Sequence, residues 1–253
     1  MKQKNGGNPA ELRAERHILR MPGGVFAGVL DGVLELLYPS NIYCCCCGDT
    51  IDPDMPYSLC SRCVRAITWT TEDLRADTHL FAAGYSCARY ESRTKEILKR
   101  FKYGNKPWLA KPLGELMLER IAGSAGKPDL VTAVPMYRAK ERRRGYNQAA
   151  LLAREVACGL DVPFEPYLLH RTRNTDAMSL LSAEERRFNL RSAFRVNEAM
   201  REMLPDKRIL LIDDIMTTGT TADECCAALL SAGAAEVRLL VFAAGEGNTA
   251  QQN

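Results

Sequence analysis

The stretch Ile209–Thr221 reads ILLIDDIMTTGTT and decides the fold of the larger part of the chain. Its first four residues are apolar on both faces, which is typical of a buried parallel strand. A helix is predicted from Thr220 to just before Gly233, and Val237–Phe242 returns as a second buried strand. These three elements form a βαβ unit. The sequence therefore predicts an α/β fold with a mostly parallel sheet flanked by helices.

Further elements of the same kind extend toward the amino terminus. Short apolar runs predict strands at Leu80–Tyr85 and Leu130–Val134. Apolar residues at helical spacing predict helices at residues 24–38, 91–101, 108–121, 146–160 and 182–190. We therefore expect a leader with an amphipathic helix at residues 1–40, a cysteine-rich module at 41–70, an α/β domain at 75–245 and a polar tail at 246–253.

The composition of the 253 residues excludes several classes of protein. A hydrophobic share of 46% and a charged share of 26% are globular averages and argue against a disordered or fibrous chain. The net charge of +3 is too small to indicate a nucleic-acid binder by itself. Because neither a membrane-spanning run nor a signal peptide is recognisable, we expect a cytoplasmic protein, in which ten cysteines indicate metal binding or packing rather than disulfides.

Four cysteines have the spacing of a zinc site. Cys44 and Cys47 form one C-x2-C pair, and Cys60 and Cys63 form another after twelve intervening residues. Four thiolates can close tetrahedrally around Zn²⁺ and leave no open position, so the predicted zinc-ribbon module is structural rather than catalytic. The alternatives are an iron–sulfur cluster and a set of thiols that bind nothing.

The other six cysteines are predicted to have no ligand role. Cys45 and Cys46 lie between the two ligands of the first pair, where we expect them to be spectators. The remaining four fall within predicted helices and strands and are expected to pack as small hydrophobic residues: Cys87, Cys158, Cys225 and Cys226.

The segment after the strand at 209–212 combines two carboxylates with a hydroxyl-rich turn. Asp213 and Asp214 stand at the sheet edge where open α/β proteins bind ligands. The turn offers backbone N–H groups and hydroxyls to a phosphate, and its residues are Thr217, Thr218, Gly219, Thr220 and Thr221. The carboxylates would then accept hydrogen bonds from sugar hydroxyls and lie near a Mg²⁺ ion. A capping box of Thr221 with Glu224 is the alternative, but it does not account for the whole turn.

The strand, the acid pair and the T-T-G-x-T turn resemble the 5-phosphoribosyl-1-diphosphate (PRPP) motif of type I phosphoribosyltransferases. With the cysteine module in front, the chain resembles the ComF family from about Leu34 to Ala243. Further landmarks are FKYGNKP at 101–107, AVPMYRAKERRRGYNQ at 133–148 and RxxN at 186–189. The chain departs from the family pattern at Met178, which replaces a frequent glutamine and cannot form the same hydrogen bonds.

The resemblance implies a phosphoribosyltransferase-like domain that binds PRPP with Mg²⁺ and transfers phosphoribosyl to an acceptor that no residue identifies. Asp213 and Asp214 would be its catalytic acids. A basic loop after an earlier strand would hold the diphosphate, through Pro135, Met136, Tyr137, Arg138 and Arg144. The same basic loop is also compatible with a solvated surface or a nucleic-acid patch.

Two other functions are compatible with the sequence. The resemblance to ComF proteins implies a role in DNA uptake during natural transformation, so the chain could be a non-catalytic sensor of PRPP or nucleotides that handles single-stranded DNA. Basic clusters at 93–111, 138–144 and 186–195 would contact that DNA, with Tyr103, Trp108 and Tyr146 stacking on bases. Alternatively, the zinc module mediates protein contacts. His17, His79 and His170 are isolated and are expected to be surface or satisfied residues.

Overall fold

The computed structural model describes residues 42–52, 54–124, 126–172 and 193–245. In chain order its strands are β1 (Ala83–Arg89), β2 (Leu130–Ala133), β3 (Leu169–Arg171), β4 (Phe194–Val196), β5 (Arg208–Met216) and β6 (Glu236–Ala244). Four of them form a parallel sheet in the order β1-β6-β5-β2, and β3 pairs with β4 antiparallel. The predicted α/β fold with a parallel sheet is confirmed. The predicted leader and helix within residues 1–40, the helix at 182–190, Met178 and the tail lie outside the described residues.

Helices cover this sheet on both sides. They are α1 (Ser61–Ala66), α2 (Ser92–Tyr103), α3 (Ala110–Ile121), α4 (Arg138–Arg144), α5 (Gln148–Leu160) and α6 (Thr220–Ser231). Short 3-10 turns occur at Pro56–Ser58, Pro107–Leu109 and Glu198–Met203. Among the helices of the described ranges, none has the length and hydrophobicity required to span a membrane.

The apolar strands β5 and β6 separate two buried clusters. On one side, which we call the α2 face, Leu210 and Phe242 pack with side chains of α2, α3 and α5. On the other, the α6 face, Leu211 and Val241 pack with α6 and with the β3–β4 pair. This division follows from the two-residue period of a strand, which sends neighbouring side chains to opposite faces. The cysteine-rich segment belongs to the α2 face, where Leu59 is fully buried.

Several predicted boundaries differ from the structure. β1 begins three residues later than predicted, because Leu80 is 52% exposed and its backbone N–H donates to Asp223 instead. β5 continues four residues beyond its predicted end at Ile212, as far as Met216, which pairs with Ala244. The predicted basic loop contains the helix α4, which buries no residue and so carries no apolar periodicity.

Two helices also begin two residues later than the pattern suggests. α3 is preceded by the Pro107–Leu109 turn, and α5 by Asn147. The Asn147 side chain accepts a hydrogen bond from the backbone N–H of Ala149 at 3.1 Å, which is the geometry of a helix N-cap. The strands β3 and β4 were not predicted at all, because three residues are too few to show alternation.

Candidate functional site

A pocket opens at the carboxyl end of β5, where the chain turns into α6. Asp213 is half-buried and lines it, whereas the buried Asp214 does not. Consecutive strand residues begin on opposite faces, so the two side chains have different neighbours although they remain close enough to interact. The structure therefore brings only the first acid of the predicted pair into the pocket. Its complete lining consists of Asp213, Ile215, Met216, Thr217, Thr218, Gly219, Thr220, Thr221, Ala222, Leu239 and Val241.

The hydroxyl-rich turn meets the pocket with all five of its predicted residues. Gly219 is the N-cap of α6, and no side chain makes a capping hydrogen bond there. The capping box centred on Thr221 is therefore wrong, since the helix already begins at Thr220. Thr218 and Thr220 hold their hydroxyl oxygens 3.0 Å apart at this edge. The pocket thus combines hydroxyls with the amino end of a helix, an arrangement that favours an anion.

Gly219 is required at its position for two reasons. Its φ of 76° is left-handed, and a Cβ atom placed there would lie 2.3 Å from Cε1 of His79. His79 is itself fixed, because its Nδ1 lies 2.8 Å from an Asp223 carboxylate oxygen and its ring stacks on Phe81. The prediction that His79 is satisfied is confirmed, but its place against the turn was missed.

The second acid has a partner that sequence reasoning missed. Lys102, in the last turn of α2, brings its Nζ to 2.7 Å from Oδ2 of Asp214. Both side chains are largely shielded from water, with 22% of the lysine and 10% of the aspartate side chain exposed. The only available signal was the position of Lys102 in the FKYGNKP landmark at 101–107.

The surroundings of Asp213 shift the pKa of its carboxyl group. Burial raises the pKa of Asp213, and the neighbouring Asp214 charge raises that pKa further. The backbone N–H of Asp214 donates to Oδ1 of Asp213 at 2.8 Å and, with the Lys102 charge, opposes the increase. Hydrogen-bond donors that enter the pocket will favour the charged carboxylate.

The predicted diphosphate residues follow β2 and do not line this pocket. Pro135 follows directly on Val134, whose N–H donates to the carbonyl of Ile212 at 2.9 Å, so it reaches the same sheet edge as the acid pair. Arg138 is exposed at the start of α4. Arg144 lies over the ring of Tyr103, with its guanidinium carbon 5.0 Å from the ring centre. None of the five predicted residues, which include Met136 and Tyr137, belongs to the pocket lining among the described residues.

The four predicted metal ligands converge in the cysteine module. The sulfur atoms of Cys44, Cys47, Cys60 and Cys63 all lie within 4.8 Å of one another. The Cys47 and Cys60 sulfurs are 3.8 Å apart, which matches the edge of about 3.8 Å expected for a tetrahedron of thiolates at about 2.3 Å from Zn²⁺. Backbone N–H groups support the cluster, because Cys60 donates to the Cys44 sulfur and Cys63 to the Cys60 sulfur, each at 3.4 Å. The donor set therefore fits a metal ion.

The remaining cysteines follow the prediction with one exception. Cys45 and Cys46 are buried in the α2 face, and three of the others are buried as well. Cys158 is exposed, and its predicted packing role is wrong because it lies on the outer side of α5.

The chain is similar to a known domain family and to several known proteins. Residues 142–252 match the model of the phosphoribosyl transferase domain. Competence protein F of Haemophilus influenzae is 32% identical over 148 residues, which are 56% of this chain and 64% of that protein. DNA utilization protein YhgH of Salmonella typhimurium is 30% identical over 159 residues, covering 61% of this chain and 68% of that protein. The match to the solved structure of a glutamine PRPP amidotransferase from B. subtilis covers 53% of this chain and 26% of the amidotransferase chain, with 24% identity and a TM-score of 0.36.

The fold and the matched domain define the class: an α/β protein with a phosphoribosyltransferase domain and a cysteine module that can hold a metal ion. Within that class, the chain belongs to the ComF family, the family of competence protein F. It spans 64% of the length of the Haemophilus influenzae protein.

Proposed function

We propose that the protein binds PRPP with Mg²⁺ in the pocket at the end of β5 and transfers its phosphoribosyl group to an acceptor. One observation carries this proposal. Asp213, the five turn residues and the amino end of α6 share a single pocket, in a chain that matches the phosphoribosyl transferase domain. The proposed domain boundaries are 41–70 for the metal module and 75–245 for the transferase domain.

The turn would hold the 5-phosphate of the ribose. The hydroxyls of Thr218 and Thr220 and the first N–H groups of α6 would donate to the phosphate oxygens. Position 219 has to be a glycine in this turn, because any side chain there would clash with His79. With the phosphate in place, Asp213 would accept hydrogen bonds from the ribose hydroxyls, and Asp214 would support it from the opposite face of the strand.

The reaction requires positioning and charge stabilisation rather than a protein nucleophile. The bond between C1 of the ribose and the diphosphate oxygen breaks, the diphosphate leaves with the bonding electrons, and the acceptor forms a bond to C1. Arg138 and Arg144, which belong to the basic segment after β2, would stabilise the departing anion. Mg²⁺ held near the Asp213 carboxylate, an oxygen ligand of the kind it prefers, would supply additional positive charge for the diphosphate oxygens.

The cysteine cluster would hold a structural zinc ion. Zinc bound by four cysteines has no open coordination position, so it contributes folding free energy and no reaction step. Thiolate ligands persist in a reducing compartment, which supports the proposal of a cytoplasmic protein.

Calorimetric titration of PRPP with Mg²⁺ tests the proposed site. We expect saturable binding by the parent, strong loss of binding in Asp213→Asn, and unchanged binding in Asp161→Asn. Asp161 is a suitable control because it is an exposed aspartate at the far end of α5, in a left-handed conformation that asparagine adopts readily. No binding by a folded, zinc-loaded parent would overturn the proposal. Binding would justify a search for acceptors by diphosphate release.

A second candidate function, handling single-stranded DNA without transfer, is supported by two exposed aromatic rings. Tyr103 is 70% and Trp108 59% exposed, and each has a cation near its face, Arg144 and Lys106 respectively. Exposed rings flanked by cations suit stacking of bases along a backbone of phosphates. The names of the relatives, competence protein F and DNA utilization protein, support the proposal of a role in DNA uptake.

Fluorescence anisotropy with a labelled oligonucleotide distinguishes this second function. We expect Tyr103→Ala and Trp108→Ala to weaken binding, and Tyr167→Ala to leave it unchanged, since Tyr167 is equally exposed at 74% but lies outside this surface. Binding should also weaken steeply with salt. Equal effects of all three substitutions would contradict a stacking role.

A further inference from the structure

Lys102 stands between the acid pair and the rest of the α2 face. Its ammonium group contacts Asp214 Oδ2 at 2.7 Å, on the side of β5 away from the pocket. It therefore does not touch the space in which we propose that PRPP binds. Any effect of Lys102 on that space must therefore pass through the acid pair, with Asp214 as its direct contact.

The last turn of α2 is held in place on each side of Lys102. Arg100 donates through Nη2 to the carbonyl of Cys47 at 3.0 Å. Phe101 is fully buried, and its carbonyl accepts a hydrogen bond from the hydroxyl of Tyr146. Tyr103 lies under the guanidinium of Arg144. These contacts fix the helix backbone at Lys102, so its side chain approaches Asp214 from a fixed point.

Asp214 is connected in turn to the carboxylate that lines the pocket. Its backbone N–H donates to Oδ1 of Asp213 at 2.8 Å. Besides Asp214 and Lys102, Cys225 of α6 lies close enough to interact electrostatically with Asp213. Lys102 is therefore the positive charge that offsets the repulsion between two adjacent carboxylates in a poorly solvated position.

We propose that Lys102 is a positioning residue of the phosphoribosyl site: by its ion pair with Asp214, it holds the acid pair in the arrangement in which Asp213 accepts hydrogen bonds from the ribose. This inference rests on the proposed function. In this role Lys102 does not contact the substrate. The last turn of α2 nevertheless belongs to the site, because it positions the acid pair from outside the pocket.

Substitutions at position 102 separate the charge from a general structural role. In titrations of PRPP with Mg²⁺, we expect Lys102→Met to weaken binding by at least about tenfold, since the methionine keeps the aliphatic stem and removes the charge. Lys102→Arg should recover most of the affinity, to within about threefold of the parent, because it restores a cation toward Asp214. Lys99→Met is the matched control, as Lys99 is an exposed lysine on the same helix, and its binding should equal that of the parent.

A double-mutant cycle tests whether Lys102 acts through Asp214. We expect Asp214→Asn alone to weaken binding, and the addition of Lys102→Met to cause no further loss. The double variant buries neither charge unpaired, so it keeps the proposal testable even if Lys102→Met alone does not fold. A further loss in the double variant would show that Lys102 acts independently of Asp214 and would overturn the inference.

The parent titration separates this inference from the proposed function. If the parent binds PRPP and Lys102→Met binds equally well or more tightly, the role of Lys102 is overturned and the proposed function stands. If the folded, zinc-loaded parent does not bind, the proposed function falls and the role of Lys102 falls with it.

Discussion

The cysteine cluster and the pocket at the end of β5 both bring polar groups together, and they differ in how those groups are arranged for a ligand. In the cluster, the Cys44 and Cys60 sulfurs already accept backbone N–H groups, and four sulfurs enclose a position for one ion. At the pocket, the amino end of α6 has no side-chain cap, and the hydroxyls of Thr218 and Thr220 contact each other. A closed set of ligands stabilises the fold, whereas an open set remains available to a ligand that arrives later.

The strongest test of this contrast removes one ligand from the closed set. We expect Cys60→Ser to lose the bound zinc and a large part of the stability, because zinc contributes on the order of 10 kcal/mol to the folding of small zinc domains. Metal content by mass spectrometry and thermal unfolding measure both effects. Cys158→Ser, at an exposed cysteine outside the cluster, should match the parent in both. Equal zinc content in the two variants would contradict the assignment of Cys60 as a ligand.

A glycine substitution tests the hydroxyl-rich turn at the pocket. Gly219→Ala should reduce PRPP affinity by at least about tenfold, because the new methyl group must displace His79 from the turn. Gly123→Ala is the control, since Gly123 also has a positive φ but no atom lies within 4 Å of an added Cβ. Both variants should lose about 1–2 kcal/mol of stability from the left-handed backbone. Parallel losses of affinity would show that the space at Gly219 is unimportant for binding.

An effect on stability alone, without a change in affinity, is expected where the cysteine module docks on α3. The buried Tyr57 donates its hydroxyl hydrogen to Glu119, and a hydrogen bond to a charged group contributes roughly 1.5–3 kcal/mol. Tyr57→Phe should lower the free energy of unfolding by about this amount and leave PRPP affinity unchanged. Tyr43→Phe, at a ring that is 62% exposed, should lower it by much less. Urea unfolding curves for the two variants provide the measurement, and equal midpoints would refute a docking role for Tyr57.

The smallest effect concerns an ion pair at the amino ends of β2 and β5, between Asp129 and Arg208. Hydrogen bonds from the side chain and backbone N–H of Arg208 hold the pKa of Asp129 well below its usual range. A lowered folded-state pKa means that the pair contributes stability above the unfolded-state pKa of about 3.9 and loses that contribution as the pH falls further. Asp129→Asn should therefore reduce stability slightly at pH 6 and flatten its decline at acidic pH. Urea unfolding of the parent and the variant at pH 6 and at acidic pH measures this change. An unchanged dependence of the free energy of unfolding on pH would contradict the pairing.

Local spacing was sufficient to predict the cluster and the turn. The two C-x2-C pairs each lie within four residues, and the turn residues follow directly on one strand, so short-range geometry fixes both. The parallel sheet was predictable for a similar reason, because β5 and β6 are apolar on both faces over most of their length.

The partners that come from distant parts of the chain were not predictable. Lys102 meets Asp214 only after α2 packs on the sheet, and His79 reaches Gly219 from the segment before β1. The separation of the two acids was missed for a different reason. The expectation that the strand ends at Ile212 left both acids outside it, whereas a strand that continues to Met216 starts the Asp213 and Asp214 side chains toward opposite faces.

The last turn of α2 has a consequence for how such proteins can be recombined. Arg100 contacts the first cysteine pair through Cys47, and two positions later Lys102 contacts the acid pair through Asp214. One insertion between these two residues would rotate them by about 100° relative to each other and break one of the contacts. A metal module transplanted from a relative would therefore have to present the carbonyl of position 47 to Arg100 at the same place, because α2 cannot shift toward it without moving Lys102 away from Asp214.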